Sequence, residues 1–342
     1  MNSPTMKKKY YINSLYVLFI LVCASFWSCK QTPESGTVSD DKQQVELKDV
    51  PYFNADSAYN FIEKQVAFGP RVPGSKAWKE CAEYLSTTLD GFGAEVIVQE
   101  ATVRAWDGTI LPIKNIIASW QPENKKRVML CAHWDSRPYA DWDPDPSNHR
   151  KPIDGANDGG SGVGVLLEIA RHLSKTQPNV GIDIIFFDAE DYGEPKDDQS
   201  KIKDDNWGLG SQYWAKNPHK KGYYARFGIL LDMVGAEDAI FYQEGYSVQY
   251  AEHVVKKVWD TAHKIGYGKY FSYDRSNHIT DDHYYVNLLL GLPTIDIIHQ
   301  DKTSKTGFFK YWHTMEDTID KISKETLKAV GQTVLHVIYN EN

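Results

Sequence analysis

The sequence predicts an α/β protein: a single domain with a central mixed, mainly parallel β-sheet covered by helices on both faces. Three observations predict it. Four short runs, Arg127–Ala132, Gly181–Phe187, Phe227–Leu231 and Gly291–Ile298, are mostly apolar throughout, as strands buried on both faces are. They alternate with stretches at helical spacing, the order that gives a parallel sheet between helical layers. The length of 342 residues, with 42% hydrophobic and 25% charged residues, suits a globular chain and one large α/β domain.

Taken in order, Asp56–Phe68 has apolar residues at helical spacing and stops at Gly69-Pro70, and Lys76–Leu89 is a second amphipathic helix. Ala94–Val98 and Ile113–Trp120 read as strands, followed by the strand Arg127–Ala132. A helix is expected over Ser161–Leu173, then the strand Gly181–Phe187, a loop and a short helix over Trp207–Ala215. Phe227–Leu231 is the next strand, Ser247–Ile265 a long helix and Gly291–Ile298 the last strand. Ser323–Tyr339 closes the chain as a helix with Leu327, Val330, Val334 and Ile338 on one face.

The N-terminus has a different character. Lys7, Lys8 and Lys9 precede an apolar run from Tyr10 to Trp27, and Ser28-Cys29 follows. This is the layout of a secretory signal, and a Cys after a small residue resembles a bacterial lipoprotein signal. The expectation is a signal over residues 1–28, a lipid anchor at Cys29, a polar tether over 29–50 and the folded domain over 51–342. Such a protein is exported, periplasmic or membrane-anchored. Cys23, a plain secretory signal and an uncleaved anchor helix are the alternatives. The net charge of −8 argues against a nucleic-acid partner. Four cysteines make no disulfide framework, and Cys81 and Cys131 read as buried thiols. The default oligomeric state is a monomer.

In open α/β sheets ligands bind beyond the carboxyl ends of the strands. Polar residues sit there: His133 after VMLCA, Glu190-Asp191 after IIFFDA, Asp232 after GILL and His299 after TIDII. Asp158, in the glycine-rich GANDGGSG, and His313, in YWHTMED, add two more. A mixture of imidazole and carboxylate suits zinc. The glycines allow a sharp turn and close approach to a ligand, and the acidic centre with no following Lys-Ser/Thr fits a cation better than a phosphate. In the pair Glu190-Asp191 one carboxylate can bind metal while its neighbour stays free to carry a proton.

These segments, in this order, resemble the zinc aminopeptidase-like family of α/β exopeptidases, from about Phe53 to the C-terminus. The shared pattern is His133-x-Asp135, Asp158, the acidic pair, Asp232 and His313. Within that family the chain looks most like the glutaminyl-peptide cyclotransferases. Asp281-Asp282-His283 before Gly291-x-Pro293, and Trp312-His313-Thr314-Met315-Glu316-Asp317 with Phe308 four residues upstream, carry that likeness. Asp191 stands where animal cyclotransferases have Glu, and Thr280 where they have Gln.

The resemblance implies one zinc per chain, held by Asp158, Asp191 and His313. It makes Glu190 the base and acid, puts Asp232 and Asp281 in a hydrogen-bonding network beside it, and walls the substrate pocket with Trp207, Phe308 and Trp312. The implied partner is a peptide or protein N-terminus bearing Gln. The implied reaction turns that residue into pyroglutamate and releases ammonia. The alternative is a two-zinc aminopeptidase using His133 and Asp232 as further ligands. His283 and His299 are expected to hydrogen-bond near the site without ligating. His278 and the other histidines read as structural or exposed, and Trp134 and Trp142 flank the site without an assigned role.

Overall fold

The computed structural model describes residues 50–198 and 205–342. The expected signal, the anchor at Cys29 and nearly all of the tether lie outside the described residues. Helices α1 (Ala55–Val66) and α2 (Lys76–Gly91) come first, then strands β1 (Glu95–Arg104), β2 (Ile110–Trp120) and β3 (Arg127–His133). Next come α3 (Gly160–Leu173), β4 (Gly181–Phe187), α4 (Leu209–Lys216), β5 (Gly228–Asp232) and β6 (Phe241–Gln243). The chain continues through α5 (Gly245–Lys264), β7 (Phe271–Arg275), α6 (Asp282–Tyr285), β8 (Thr294–Ile298) and α7 (Lys324–Asn340).

Six strands form one sheet in the order β1-β2-β4-β3-β5-β8. β1–β2 and β2–β4 are antiparallel, whereas β4–β3, β3–β5 and β5–β8 are parallel. The predicted mixed, mainly parallel sheet is therefore present, and its two antiparallel pairings are confined to one edge. Side chains alternate across it. Leu130, Ile184, Ile229 and Ile297 face a large core built with α1, α2, α3, α5 and α7. Met129, Cys131, Ile185 and Leu230 face the other side, covered by Trp214 and Ala215 of α4 with Val286 and Leu292. Both expected thiols, Cys81 and Cys131, are buried and free, and burial pushes Cys81 up to about 12.

Several elements start on side-chain caps. Asn54 accepts from the Ser57 amide, Ser75 from Trp78 and Ser323 from Thr326, each satisfying a helix-end donor. β1 runs to Arg104, beyond the predicted Val98, because its outer half is a ribbon on the sheet edge whose side chains alternate in exposure. The predicted strand from Gly291 begins only at Thr294; Gly291, at φ 70°, ends a one-turn π-helix over Val286–Leu290. The small β6–β7 sheet and α6 had no apolar run long enough to announce them.

β3 lies between β4 and β5, so the chain leaves it on one side through α3 to β4 and reaches the other side through α4 at β5. Such a reversal opens a crevice at the carboxyl ends of the strands. There His133 ends β3, Glu190 and Asp191 follow β4, and Asp232 ends β5.

Candidate active site

Asp158 is the centre of the crevice, and its loop is held on both sides. The buried Arg71 guanidinium donates to the carbonyls of Trp134, Asp154 and Gly155. The Asp317 carboxyl accepts from the amides of Asn157 (2.9 Å) and Asp158 (3.1 Å). Burial, then the nearby Asp158, push Asp317 up to about 8. Gly159, at φ 85°, packs so closely that a Cβ would meet the Asp135 carbonyl at 2.4 Å, which explains a glycine there.

The acidic pair is fixed by one side chain. The two oxygens of Asp135 accept from the amides of Glu190 (3.1 Å) and Asp191 (3.2 Å). Ala189 precedes the pair at φ 50° and His313 sits at φ 55°, left-handed conformations that non-glycine residues rarely adopt and that cluster at functional sites. Arg137 donates to the Asp191 carbonyl (3.0 Å) and pairs bidentately with Asp141 at 2.9 Å for both bonds. The guanidinium lies 4.7 Å from the Trp207 ring centre. That ring packs on Gly193, where a Cβ would sit 2.1 Å from the indole.

Two sets of donor atoms converge on Asp158: His133, Asp158 and Asp232, and Asp158, Asp191 and His313. His133 Nε2 is 3.1 Å from Asp232 Oδ1 and 3.2 Å from Asp158 Oδ1. His313 Nε2 is 3.1 Å from Asp191 Oδ1 and 3.5 Å from Asp158 Oδ2. Both sets fit a zinc ion by donor chemistry. Asp158 Oδ2 and Asp191 Oδ2 are buried with no hydrogen-bond partner, the state a metal relieves. Each histidine turns its other nitrogen toward a carboxylate 3.5 Å away, Asp135 for His133 and Asp141 for His313, as metal-bound imidazoles do.

A cavity of about 410 Å³ opens over these groups. Every residue predicted for the site lines it: Asp158, Asp191 and His313; Glu190, Asp232 and Asp281; Trp207, Phe308 and Trp312. Trp312 stacks on His313 at 3.6 Å between ring centres, Phe308 packs on Trp312 at 4.7 Å, and Trp207 lies nearly parallel to His313 at 6.2 Å. The site is strongly acidic and its carboxylates are buried. Burial, then Asp281, push Glu190 well above the usual carboxylate range, and burial, then Asp232, bring Asp281 to about 6. Like charges packed this closely share protons.

Sequence reasoning passed over several residues here. Arg71 and Asp141 brace the loops from isolated positions that carry no motif, and Arg137 and Asp317, the latter at the end of the Trp312–Asp317 segment, brace them in roles that the sequence did not assign. His278, read as structural or exposed, lines the cavity beside Thr280 and Asp281, as Glu194 does. Its place three residues before Asp281 was the available signal. Trp142 packs on Trp312 at 5.9 Å, whereas Trp134 is core, stacked on Trp78 at 6.0 Å. His299 lies outside the cavity, on a neighbouring cleft of about 890 Å³ that holds none of the converging donors.

An α/β sheet with carboxylate and imidazole donors gathered at its strand ends defines a zinc exopeptidase-like protein. Residues 115–338 match the model of peptidase family M28, so the chain belongs to that family. It is similar to the glutaminyl cyclase of Bacteroides thetaiotaomicron solved with N-acetylhistamine: 57% identity, TM-score 0.85, covering 86% of this chain and 100% of that one. The glutaminyl cyclase of Tannerella forsythia matches at 58% identity and TM-score 0.84, over 85% of this chain and 100% of that one. The glutaminyl-peptide cyclotransferase of Gloydius blomhoffii is 25% identical over 292 residues, 77% of this chain and 75% of its own.

Proposed function

We propose that this chain is a zinc-dependent glutaminyl-peptide cyclotransferase, converting N-terminal glutamine of peptides and proteins to pyroglutamate with release of ammonia. One observation carries the reading: the acidic Glu190 and the Asp158–Asp191–His313 donor set face the same aromatic-walled cavity. Asp158, Asp191 and His313 would hold one zinc. When bound, the ion supplies Lewis-acid polarisation of the glutamine side-chain carbonyl.

The substrate's α-amine is the nucleophile, so no water has to be activated. A bond forms between the α-nitrogen and the side-chain carbonyl carbon, and the bond to the amide nitrogen breaks. Glu190 takes the proton released by the attacking amine and returns it to the departing nitrogen, which leaves as ammonia. Trp207, Phe308 and Trp312 press the side chain back on its own amine and exclude water, holding a near-attack geometry. Asp232 and Asp281 hold a shared proton beside Glu190.

The His133–Asp158–Asp232 set favours a second reading, a two-zinc aminopeptidase. Incubation with a Gln-initiated peptide and with an aminoacyl anilide separates them. Ammonia from the first without hydrolysis of the second is the result expected; the reverse overturns the cyclotransferase reading. We also propose export of the monomer and anchoring through a lipid on Cys29, tested by the mass of the mature N-terminus and its loss from membranes in Cys29→Ser.

A further inference from the structure

Behind Asp281, away from the cavity, lies a file of buried polar side chains that the proposed mechanism leaves unused. Asp296 on β8 and His283 on α6 are fully buried, as is Glu244 at the start of α5. One donor atom each of Asp281, His283 and Asp296 lie within 4.8 Å of one another. Asp281 Oδ2, His283 Nδ1 and both Asp296 carboxyl oxygens have no hydrogen-bond partner. Unmet polar atoms so deep in a protein are costly unless they serve one another.

The far end of the file is fully satisfied. Glu244 accepts from the amides of Tyr246 (2.9 Å), Ser247 (2.7 Å) and Ile279 (2.8 Å) and from the Ser247 hydroxyl (2.8 Å). Burial alone would raise it, yet His283 and these donors hold it down at about 2, so it is ionised and can only accept. His283 Nε2, 2.9 Å from Glu244 Oε2, must therefore carry a hydrogen. That leaves Nδ1 facing Asp296 Oδ2 at 3.8 Å, with Asp281 beyond it. Asp296 thus lies between His283 and Asp281, with both of its carboxyl oxygens free to pair with either.

We propose that Glu244 and His283 are positioning residues for the reaction: Glu244 fixes the orientation of the His283 ring, and His283, through Asp296, sets how Asp281 presents its carboxyl to Glu190. The inference rests on the cyclotransferase reading. The two residues act on the turnover step and touch no substrate.

The test compares wild type, His283→Gln and His283→Asn for ammonia release from a Gln-initiated peptide, with zinc content measured on each. Gln keeps a donor toward Glu244 and loses the group facing Asp296; Asn keeps an amide near the Nδ1 position. His283→Gln should lower kcat by about 10- to 100-fold, the usual cost of losing an orienting partner, with KM unchanged. His283→Asn should recover part of that loss. If His283→Gln fails to fold, a lowered kcat at unchanged KM in His283→Asn carries the test. Wild-type kcat in both variants overturns the proposal, as does KM moving together with kcat. A fall in bound zinc in either variant also overturns it, making Asp281, His283 and Asp296 metal ligands. Absence of wild-type ammonia release is a separate result: it removes the functional reading itself, and this inference with it.

Discussion

The His133 and His313 halves of the site are built from the same parts around one shared Asp158, yet they differ in access. Each has a histidine whose Nε2 faces two carboxylates and whose Nδ1 faces a third. His313 lines the cavity beside Trp207 and Trp312; His133 does not reach it. Arg137, bound to Asp141, stands on the His313 side; burial and its cation oppose a proton on that ring, but Asp191 and Asp141 outweigh them and raise His313 above its ordinary range. His133 is likewise ringed by carboxylates. Burial pushes it down, but Asp135, Asp158 and Asp232 overrule this and hold it well above its ordinary range. The comparison teaches that access is what separates the halves, since carboxylates favour a proton on both rings. The His313 half presents its histidine to the cavity that a substrate can enter, and the His133 half does not.

The largest effect should come from Glu190, the proposed proton carrier over the open half. Glu190→Gln is expected to lower kcat by about 10² to 10⁴-fold with zinc retained, measured by ammonia release and metal analysis. Activity near wild type would remove Glu190 from the reaction.

Splitting the two halves comes next. His313→Ala and Asp191→Asn should lose zinc and with it turnover. His133→Ala should keep its zinc and lose about 10- to 100-fold in turnover, as an orienting group does. Equal loss of metal in all three would erase the distinction between the halves.

A smaller effect is expected at the wall. Trp312→Ala removes the ring stacked on His313 and should raise KM for a Gln-initiated peptide roughly tenfold, equivalent to about 1.4 kcal/mol. The smallest concerns stability alone. Burial would raise Glu168, but Arg171 and His172 hold it at about 2, below its ordinary 4.5. A depressed carboxyl stabilises the fold above its unfolded pKa and loses that contribution as pH falls through the folded one. The gap in unfolding midpoint between wild type and Glu168→Gln should therefore be full above pH 4.5 and close as pH falls toward 2. A gap constant down to pH 2 would contradict it.

The strand ends were legible because buried parallel strands read as apolar runs, so the acids and histidines just after VMLCA, IIFFDA and GILL stood out. Trp207 was harder, since a long loop separates it from Asp191; what fixes it is the close approach of Gly193 and the stacking of Arg137. The bracing contacts were illegible for a physical reason, even where, as at Asp317, the residue itself stood in a motif. Asp317 reaches back to Asp158 across 159 positions, and Arg71 reaches Gly155 across 84. Such pairings are set by tertiary packing and leave no local pattern. Of the file from Glu244 to Asp281, Asp281 and His283 stood out in one segment, whereas Glu244 and Asp296 were hidden likewise, since the file joins α5, α6 and β8.

The most direct test of the account is the number and place of zinc ions in the full chain, by metal analysis together with anomalous scattering at the zinc edge. The account predicts one zinc per chain, between Asp158, Asp191 and His313. A second ion between His133, Asp158 and Asp232 would contradict it and favour the two-zinc aminopeptidase.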